Sequence, residues 1–417
     1  MSGDRPDEPP GRPAAIRTGG ECGAAAMPAA DSLPHGSGRQ LSSEGSIESG
    51  LILLHNLLMS LKRIAYIDSW RCYAIAMVVL AHLARNDHFK QVFGAANPLL
   101  QYGHVGVYIF FFVSGFVISK ACLVELGATD GFSRAGFYTR RAFRVIPPLV
   151  LYLLACTALS VSGVLPVSMG QLLGAGLYVC NINLVDCGWY AGHTWSLAFE
   201  EQFYLIFPLL FAWAELSKRP SLAALAVIGA FVAQALLFPV AFIGRIGFLA
   251  IYALFAAGYL YSKHEPKWTS IRWPDAMFFI GAAITFFPLY LFEDPVLGEC
   301  YKLAVVAAIP MMVIATANPA FFARKLFRFA PVSYIGKISY SIYLWQQLFT
   351  GEVFGSLSAA EHLALMGAVI AGCALLFESF EQPLMDIGRN VSRQVQKRLV
   401  DSRMNGTPSF PGELERP

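Results

Sequence analysis

The chain has 417 residues, of which 56% are hydrophobic and only 14% are charged, and its mean hydropathy is +0.52. This composition excludes an ordinary soluble domain and indicates an integral membrane protein. The formal net charge of +3 reflects basic residues in loops and gives no indication of a nucleic-acid partner. Because only helices and closed barrels satisfy their backbone in lipid, and the apolar segments have helical length, we predict an all-α integral membrane protein.

The first part of the chain differs from the rest in composition. The first fifty residues are rich in Gly, Pro, Ala and Ser and lack apolar periodicity, and the apolar run at 51–58 is too short to span a bilayer, so we predict a disordered N-terminal tail at 1–58 without a secretory signal. Met59 lies just before the first crossing and is a candidate natural start of translation; a peptide from 1–58 in the native protein would exclude this. The predicted transmembrane domain covers 59–386, and a basic cytoplasmic tail covers 387–417.

Apolar windows long enough to cross a bilayer recur through the chain. We predict about ten transmembrane helices, at 64–84, 104–122, 145–163, 194–215, 221–239, 245–262, 275–292, 300–318, 333–351 and 362–381. An eleventh apolar stretch, 170–182, is too short to cross and is predicted to be re-entrant or interfacial. Lys and Arg gather on one side if residue 63 is cytoplasmic, which places both termini in the cytoplasm. The expected location is a cell membrane, with multiple crossings, in a bacterial inner membrane.

An arginine and a histidine share the first crossing, in the segment RCYAIAMVVLAH (71–82). Arg71 and His82 lie almost three helical turns apart, so both side chains face one direction, separated by about 16 Å along the axis. A charged arginine deep in a bilayer costs roughly 2.5–3.5 kcal/mol, so such residues usually face a cavity or a partner. His82 could accept a proton from a hydroxyl or donate to a backbone carbonyl, and Arg71 could bind an anion or structure a helix interface.

A carboxylate opens the fourth crossing, in TWSLAFEEQFY (194–204). Glu200 is predicted at a depth comparable with His82, where it could stabilise a charged imidazole or pair with an arginine. Trp195 and Tyr204 of the same segment are candidate substrate-binding residues. The position of Trp195 at the membrane boundary fits an aromatic belt residue better than a substrate contact.

A basic segment, FYTRRAFRVIPP (137–148), leads into the third crossing. Arg140, Arg141 and Arg144 are suited to clamping phosphates, although positive charge here could equally anchor lipid headgroups. The two prolines that follow are expected to fix the start of the helix. Ser114, in HVGVYIFFFVSGFVIS (104–119), is a further candidate for substrate binding, although small residues here favour helix packing.

The sequence gives little support for a metal site, a nucleotide-driven pump or a serine hydrolase. The spacing of the outer-side histidines matches no metal-ligand pattern, so no metal is expected, and a phosphate loop and a nucleophile elbow are absent. Cys180 and Cys187 share the predicted outer loop, where an oxidising compartment permits a disulfide. Spacing alone does not fix the geometry of that pair, so the bridge stays open at this stage.

Together these segments resemble the acyltransferase-3 family of integral membrane acyltransferases, which includes O-antigen and exopolysaccharide O-acetyltransferases. The resemblance covers about 63–385 and includes IGKISYSIYLWQ (335–346) and ESFEQP (378–383). It implies an acyl-coenzyme A donor, with acetyl as the default, on the cytoplasmic side and a glycan hydroxyl acceptor on the outer side. No separate cofactor is implied. It also implies that His82 is the catalytic base, that Arg71 and Glu200 support the site, and that the basic segment contacts coenzyme A phosphates.

Two departures and three alternatives accompany the resemblance. The family often has a histidine where this chain has Gln346, which cannot titrate, and glycines where it has Ser69 and Cys72. A proton-coupled transporter would also use buried Arg, His and Glu side chains, although we see no paired broken helices. A lipid or a secreted metabolite could be the acceptor, and transfer could be direct or pass through an acyl-histidine. The sequence does not predict the oligomeric state.

Overall fold

The computed structural model describes residues 64–85, 99–129, 132–182, 185–216, 244–268, 270–287 and 295–404, with 225 and 229 as single residues. Within these ranges every regular element is a helix, which confirms the predicted all-α class. The predicted tail at 1–58 lies outside the described residues, and so does the predicted crossing at 221–239 apart from the two single residues.

The α-helices, numbered in chain order, are α1 (Ala65–Leu83), α2 (Leu99–Thr129), α3 (Arg134–Val161), α4 (Met169–Gly176), α5 (Gly188–Gly192), α6 (Trp195–Leu216), α7 (Gly244–Trp268), α8 (Pro274–Thr285), α9 (Pro295–Ala317), α10 (Ala330–Lys337), α11 (Ser339–Phe349), α12 (Ala359–Leu376) and α13 (Gln382–Met404). Short 3-10 turns occur at Leu326–Arg328 and Glu352–Phe354, and a π-helical turn, Phe377–Glu381, joins α12 to α13.

Among the described residues, three segments are long and apolar enough to cross a bilayer by length and composition: Gly103–Gly127, Arg134–Val161 and Ala359–Arg398. Two shorter apolar helices, Pro274–Thr285 and Leu303–Ala317, accompany them. These helices support a membrane protein, whereas the full count of ten crossings and the cytoplasmic termini stay predictions. The stretch predicted to be re-entrant contains α4, whose eight residues are too few to span a bilayer.

Helix α3 corrects one expectation from the sequence. The prolines were expected to fix the start of a helix, but α3 runs from Arg134 through Pro147 and Pro148 to Val161. An interior proline removes a backbone hydrogen bond, yet helices in membranes tolerate it because neighbouring groups satisfy the freed carbonyl. The basic segment is therefore the first part of a long helix rather than a loop.

Buried hydrogen bonds fix the rotation of α1 about its axis. The indole Nε1 of Trp70 donates to Thr316 Oγ1 at 2.9 Å, and the hydroxyls of Ser69 and Ser333 are 3.2 Å apart. These bonds join α1 to α9 and α10 at the level of Arg71. Because a helix is rigid between such anchors, they also determine the direction in which residues further along α1 point.

Glycines allow the closest approaches between helices. A Cβ atom added to Gly115 of α2 would lie 2.4 Å from the Phe255 carbonyl oxygen, which confirms the expected packing role of this small residue. A Cβ atom on Gly336 of α10 would lie only 1.6 Å from the carbonyl oxygen of Asp68 in α1. Helix α10 therefore packs against α1 directly beside Arg71.

The loop between α4 and α5, predicted to lie on the outer side, is closed by a disulfide. Cys180 and Cys187 are bonded, with their Cα atoms 5.8 Å apart, so the structure contains the bridge that the sequence left open. Helix α5 begins at Gly188, directly after the second cysteine. The disulfide thus defines where α5 starts and holds it close to the preceding loop.

At the other end of the protein, α13 continues past the predicted domain end at 386 as far as Met404. It packs on α3, where Arg140 Nη1 donates to Ser392 Oγ at 2.6 Å. The π-helical turn before it brings Phe377 against Lys337, whose Nζ lies 4.7 Å from the ring centroid. Such π-helical turns are often found at functional sites.

Candidate active site

A cavity of about 390 Å³ lies where α1, α2, α3, α10 and α13 converge on the predicted cytoplasmic side. We call it the basic cavity because five cationic side chains and one carboxylate line it: Arg71, Lys120, Arg144, Lys337, Arg389 and Asp68. Four of these cations have carboxylate neighbours: Arg71 lies 3.9 Å from Asp68, Lys337 lies 3.3 Å from Glu378, Lys120 pairs with Glu265, and Arg389 pairs with Asp386. The cavity still presents a concentration of positive charge that suits an anionic ligand.

A second, smaller cavity of about 50 Å³ lies deeper between the helices, and we call it the inner cavity. Glu200 lines it together with Ser114 and Tyr204. The Ser114 hydroxyl donates to Glu200 Oε1 at 2.7 Å, and the Tyr204 hydroxyl donates to Oε2 at 3.2 Å. Both carboxylate oxygens are therefore held in place by hydroxyl groups.

Two arginines line both cavities and so mark the place where they meet. Arg71 of α1 and Arg144 of α3 border the basic cavity and the inner cavity alike. Within the described part of the chain, the buried Nε of Arg71 has no hydrogen-bond partner. An unsatisfied buried donor is costly, so a ligand acceptor at this junction would remove a penalty.

His82 lies further out along α1, about 16 Å from Arg71 by helical rise. Its Nδ1 is 2.9 Å from Gln346 Oε1 of α11. The indole of Trp189 packs edge-on against the imidazole, with ring centroids 5.5 Å apart, and the Arg85 guanidinium lies 5.3 Å from the Trp189 ring. The imidazole is thus oriented by one amide and one aromatic side chain.

Glu200 and His82 have different hydrogen-bond partners, and their comparable depth in the membrane stays a prediction. Glu200 accepts hydrogen bonds from Ser114 and Tyr204, whereas His82 bonds to Gln346. His193 and Thr194, just before α6, are already buried, with exposed fractions of 4% and 0%. The start of α6 is therefore covered by other parts of the protein. Further along the helix, Glu200 lines the inner cavity together with Arg71, whereas His82 does not line it.

Three further candidate binding residues lie outside the linings of both cavities. Arg140 pairs with Glu125 at 2.7 Å, and Arg141 lies 5.1 Å from the ring centroid of Tyr204. Trp195 packs against Phe199, with ring centroids 6.0 Å apart. Of the three arginines in the basic segment, Arg144 alone lines the two described cavities, while the other two contact neighbouring helices.

Reasoning from the sequence missed several cations of the basic cavity, namely Lys120, Lys337 and Arg389. Lys120 and Lys337 are single charges in or beside apolar segments, which is the available signal, whereas Arg389 belongs to the basic tail. Lys337 even lies within the IGKISYSIYLWQ segment that carries part of the family resemblance. Nothing in the spacing of the three residues indicates that they meet, because they come from three different helices.

These features define a helical membrane protein with a charged internal site, and with a partly buried imidazole further along one of the helices that line it. The family model described as an acyltransferase domain matches residues 64–378, so the chain belongs to the acyltransferase-3 family. This confirms the resemblance inferred from the motifs.

Two relatives illustrate the similarity. The chain is 27% identical over 323 residues to the peptidoglycan O-acetyltransferase OatA of Listeria monocytogenes, covering 69% of this chain and 49% of that protein. It is 30% identical over 164 residues to the O-acetyltransferase OatA of Staphylococcus aureus, covering 34% of this chain and 24% of that protein. The chain thus spans at most about half the length of these curated relatives. No solved structure matches it.

Proposed function

We propose that this chain is a membrane O-acyltransferase. It moves an acyl group, acetyl by default, from cytoplasmic acyl-coenzyme A to a hydroxyl of an extracytoplasmic or lipid-linked glycan. Family membership and the O-acetyltransferase names of the relatives support the reaction class. The observation that carries the donor assignment is the pair of cavities that meet at Arg71 and Arg144.

The basic cavity fits the charged end of such a donor. Coenzyme A carries several phosphates, and guanidinium and ammonium groups bind phosphates through charge-assisted hydrogen bonds. The cavity volume of about 390 Å³ gives room for a phosphorylated headgroup, and the five cations converge from separate helices. The inner cavity of about 50 Å³ is narrow and only partly polar, which suits the slender arm that carries the thioester.

The proposed chemistry is general-base catalysis by His82. The acceptor hydroxyl oxygen bonds to the acyl carbon as the carbon–sulfur bond breaks, and the hydroxyl proton passes to the imidazole. The protonated imidazole then returns that proton to the departing thiolate, so atoms and charge balance. A route in which His82 itself is acylated first stays open; single-turnover quenching without acceptor would reveal an acyl-protein if it occurs.

Replacing Lys337 by glutamine is expected to weaken the binding of acetyl-coenzyme A by about tenfold, because a charge-assisted hydrogen bond contributes roughly 1.5–3 kcal/mol. The measurement is a titration calorimetry Kd in nanodiscs. Lys267→Gln is the matched control, since Lys267 is exposed and does not line the basic cavity. Equal weakening in both variants would show that the donor does not use this cavity.

The function itself is tested with purified protein in nanodiscs, radiolabelled acetyl-coenzyme A and a soluble glycan acceptor. The expected result is thiol release coupled to the appearance of label on the glycan. Label on lipid instead would identify a lipid acceptor. Absence of both donor binding and thiol release would reject the acyltransferase assignment and favour the proton-coupled transporter.

A further inference from the structure

We propose that Gln346 and Gln347 of α11 are positioning residues that hold the His82 imidazole protonated at Nδ1, so that Nε2 is the atom that accepts a proton. The catalytic meaning of this inference rests on the proposed function, in which His82 is the base. The tautomer itself follows from a chain of hydrogen bonds whose direction is fixed at its far end.

That far end is a backbone carbonyl, which can only accept. Gln347 Nε2 donates to the Trp189 carbonyl oxygen at 3.0 Å, so the amide oxygen of Gln347 must face the other way. Gln346 Nε2 donates to that oxygen at 3.1 Å and also lies 3.5 Å from the Tyr343 carbonyl oxygen. Two acceptors therefore hold the amino group of Gln346 on one side.

The orientation of the Gln346 amide then decides the state of the imidazole. With its amino group engaged, Gln346 presents Oε1 to His82 Nδ1 at 2.9 Å. An amide oxygen cannot donate, so Nδ1 must carry the hydrogen. Because a neutral imidazole has one N–H, the lone pair is left on Nε2. Turning the amide over would place the Gln346 amide oxygen against the Gln347 amide oxygen and the Tyr343 carbonyl oxygen, so acceptors would face one another and both bonds would be lost.

Burial strengthens this chain of hydrogen bonds, the relay, which runs from the Trp189 carbonyl through Gln347 and Gln346 to His82. Gln346 is 0% exposed and Gln347 is 3% exposed, so water does not compete for their amides. Trp189 Nε1 also donates back to the Gln347 carbonyl oxygen at 3.3 Å, which joins α5 to α11 by two bonds. Trp189 lies two residues after Cys187, so the carbonyl that ends the relay belongs to the segment that follows the disulfide.

The direct test is the protonation pattern of the imidazole. Protein labelled with 15N-histidine is placed in nanodiscs, and the His82 signals are identified by subtracting the spectrum of His82→Gln. The expected result at pH 8 is a single tautomer with hydrogen on Nδ1. Hydrogen on Nε2, or a mixture of tautomers in the wild type, would overturn the proposal. This readout does not depend on activity.

Variants separate orientation from simple packing. Gln346→Met, which removes the acceptor, is expected to give mixed tautomers and to lower kcat by roughly 10²-fold, less than the roughly 10⁴-fold seen when a triad loses its orienting carboxylate. KM for acetyl-coenzyme A should stay unchanged. Gln347→Met is expected to lower kcat by only about tenfold, since the Tyr343 carbonyl still holds the Gln346 amide.

Two more variants complete the series. Gln346→Glu keeps the acceptor and adds a charge that stabilises the imidazolium, so the acid limb of the kcat profile should move to higher pH. Thr350→Val is the matched control, because it removes a hydrogen bond to the Gln346 backbone carbonyl and leaves the amides alone. If all four variants lowered kcat equally without moving the pH profile, these residues would have only a structural role.

The experiment also distinguishes the two levels of inference. If His82 carries its hydrogen on Nδ1 but His82→Gln leaves turnover unchanged, His82 is not the base of the proposed function, and the inference about the hydrogen-bond relay still holds. If His82 carries its hydrogen on Nε2 and turnover depends on His82, the inference about the relay is wrong, and the proposed function still holds.

Discussion

Replacing His82 by glutamine is expected to lower the rate of acyl transfer by roughly 10²- to 10⁴-fold, equivalent to about 3–5 kcal/mol of transition-state stabilisation. The reason is that a sugar hydroxyl is a poor nucleophile near neutral pH until a base removes its proton. Glutamine keeps the size and a hydrogen bond but cannot take that proton. The measurement is the initial rate of thiol release from acetyl-coenzyme A in the presence of acceptor.

The affinity for the donor should hardly change in this variant, because His82 lies about 16 Å along α1 from the arginines at the cavity junction. His264→Gln is the matched control, since His264 lies at the kink in α7 and lines neither described cavity. A variant with full turnover would refute the role of His82 as base. Loss of donor binding together with turnover would point to a folding defect instead.

Replacing Gly336 by alanine is expected to have the largest effect on folding. The added Cβ atom would lie 1.6 Å from the Asp68 carbonyl oxygen, and both partners are helix backbone that cannot move aside like a side chain. Overpacking usually costs about 1–3 kcal/mol, and contact with backbone belongs at or above the upper end of that range. We therefore expect a large fall in the yield of monodisperse protein and in its melting temperature, measured in detergent.

Gly367→Ala is the matched control for this substitution. Gly367 also lies in a helix, α12, but a Cβ atom added there would meet nothing within 4 Å. Alanine favours helix over glycine by about 1 kcal/mol, so this variant should be neutral or slightly more stable. If Gly336→Ala folded as well as the control, α10 and α1 could not approach as closely as described.

The sequence predicted those features of the fold that depend on local composition. The crossing predicted at 64–84 corresponds to α1, and the one at 362–381 largely to α12 and the turn after it, because hydropathy is read from consecutive residues. The burial of the residues at the start of α6 could not be read in this way. It depends on which segments pack over them, which is a property of tertiary structure.

The same distinction applies to the site. Arg71, Arg144, Ser114, Glu200 and Tyr204 were all selected from the sequence, and the structure brings them to the inner cavity. Arg71 was selected for the cost of a charged group in an apolar segment, and Arg144 for its place in a basic segment, both of which are local arguments. The orienting role of Gln346 was not predicted, because it requires that α11 lie beside α1 and that an amide 264 residues further along the chain meet His82.

The two shared arginines limit how the protein could be re-engineered. Because Arg71 and Arg144 belong to both cavities, a substitution at either would alter headgroup affinity and acyl preference together. Under the proposed function, space for a longer acyl chain has to come from residues that line the inner cavity alone, such as Val107, Phe110 and Leu197. Changes there would widen the range of acyl groups that the protein accepts and leave its affinity for the donor phosphates unchanged.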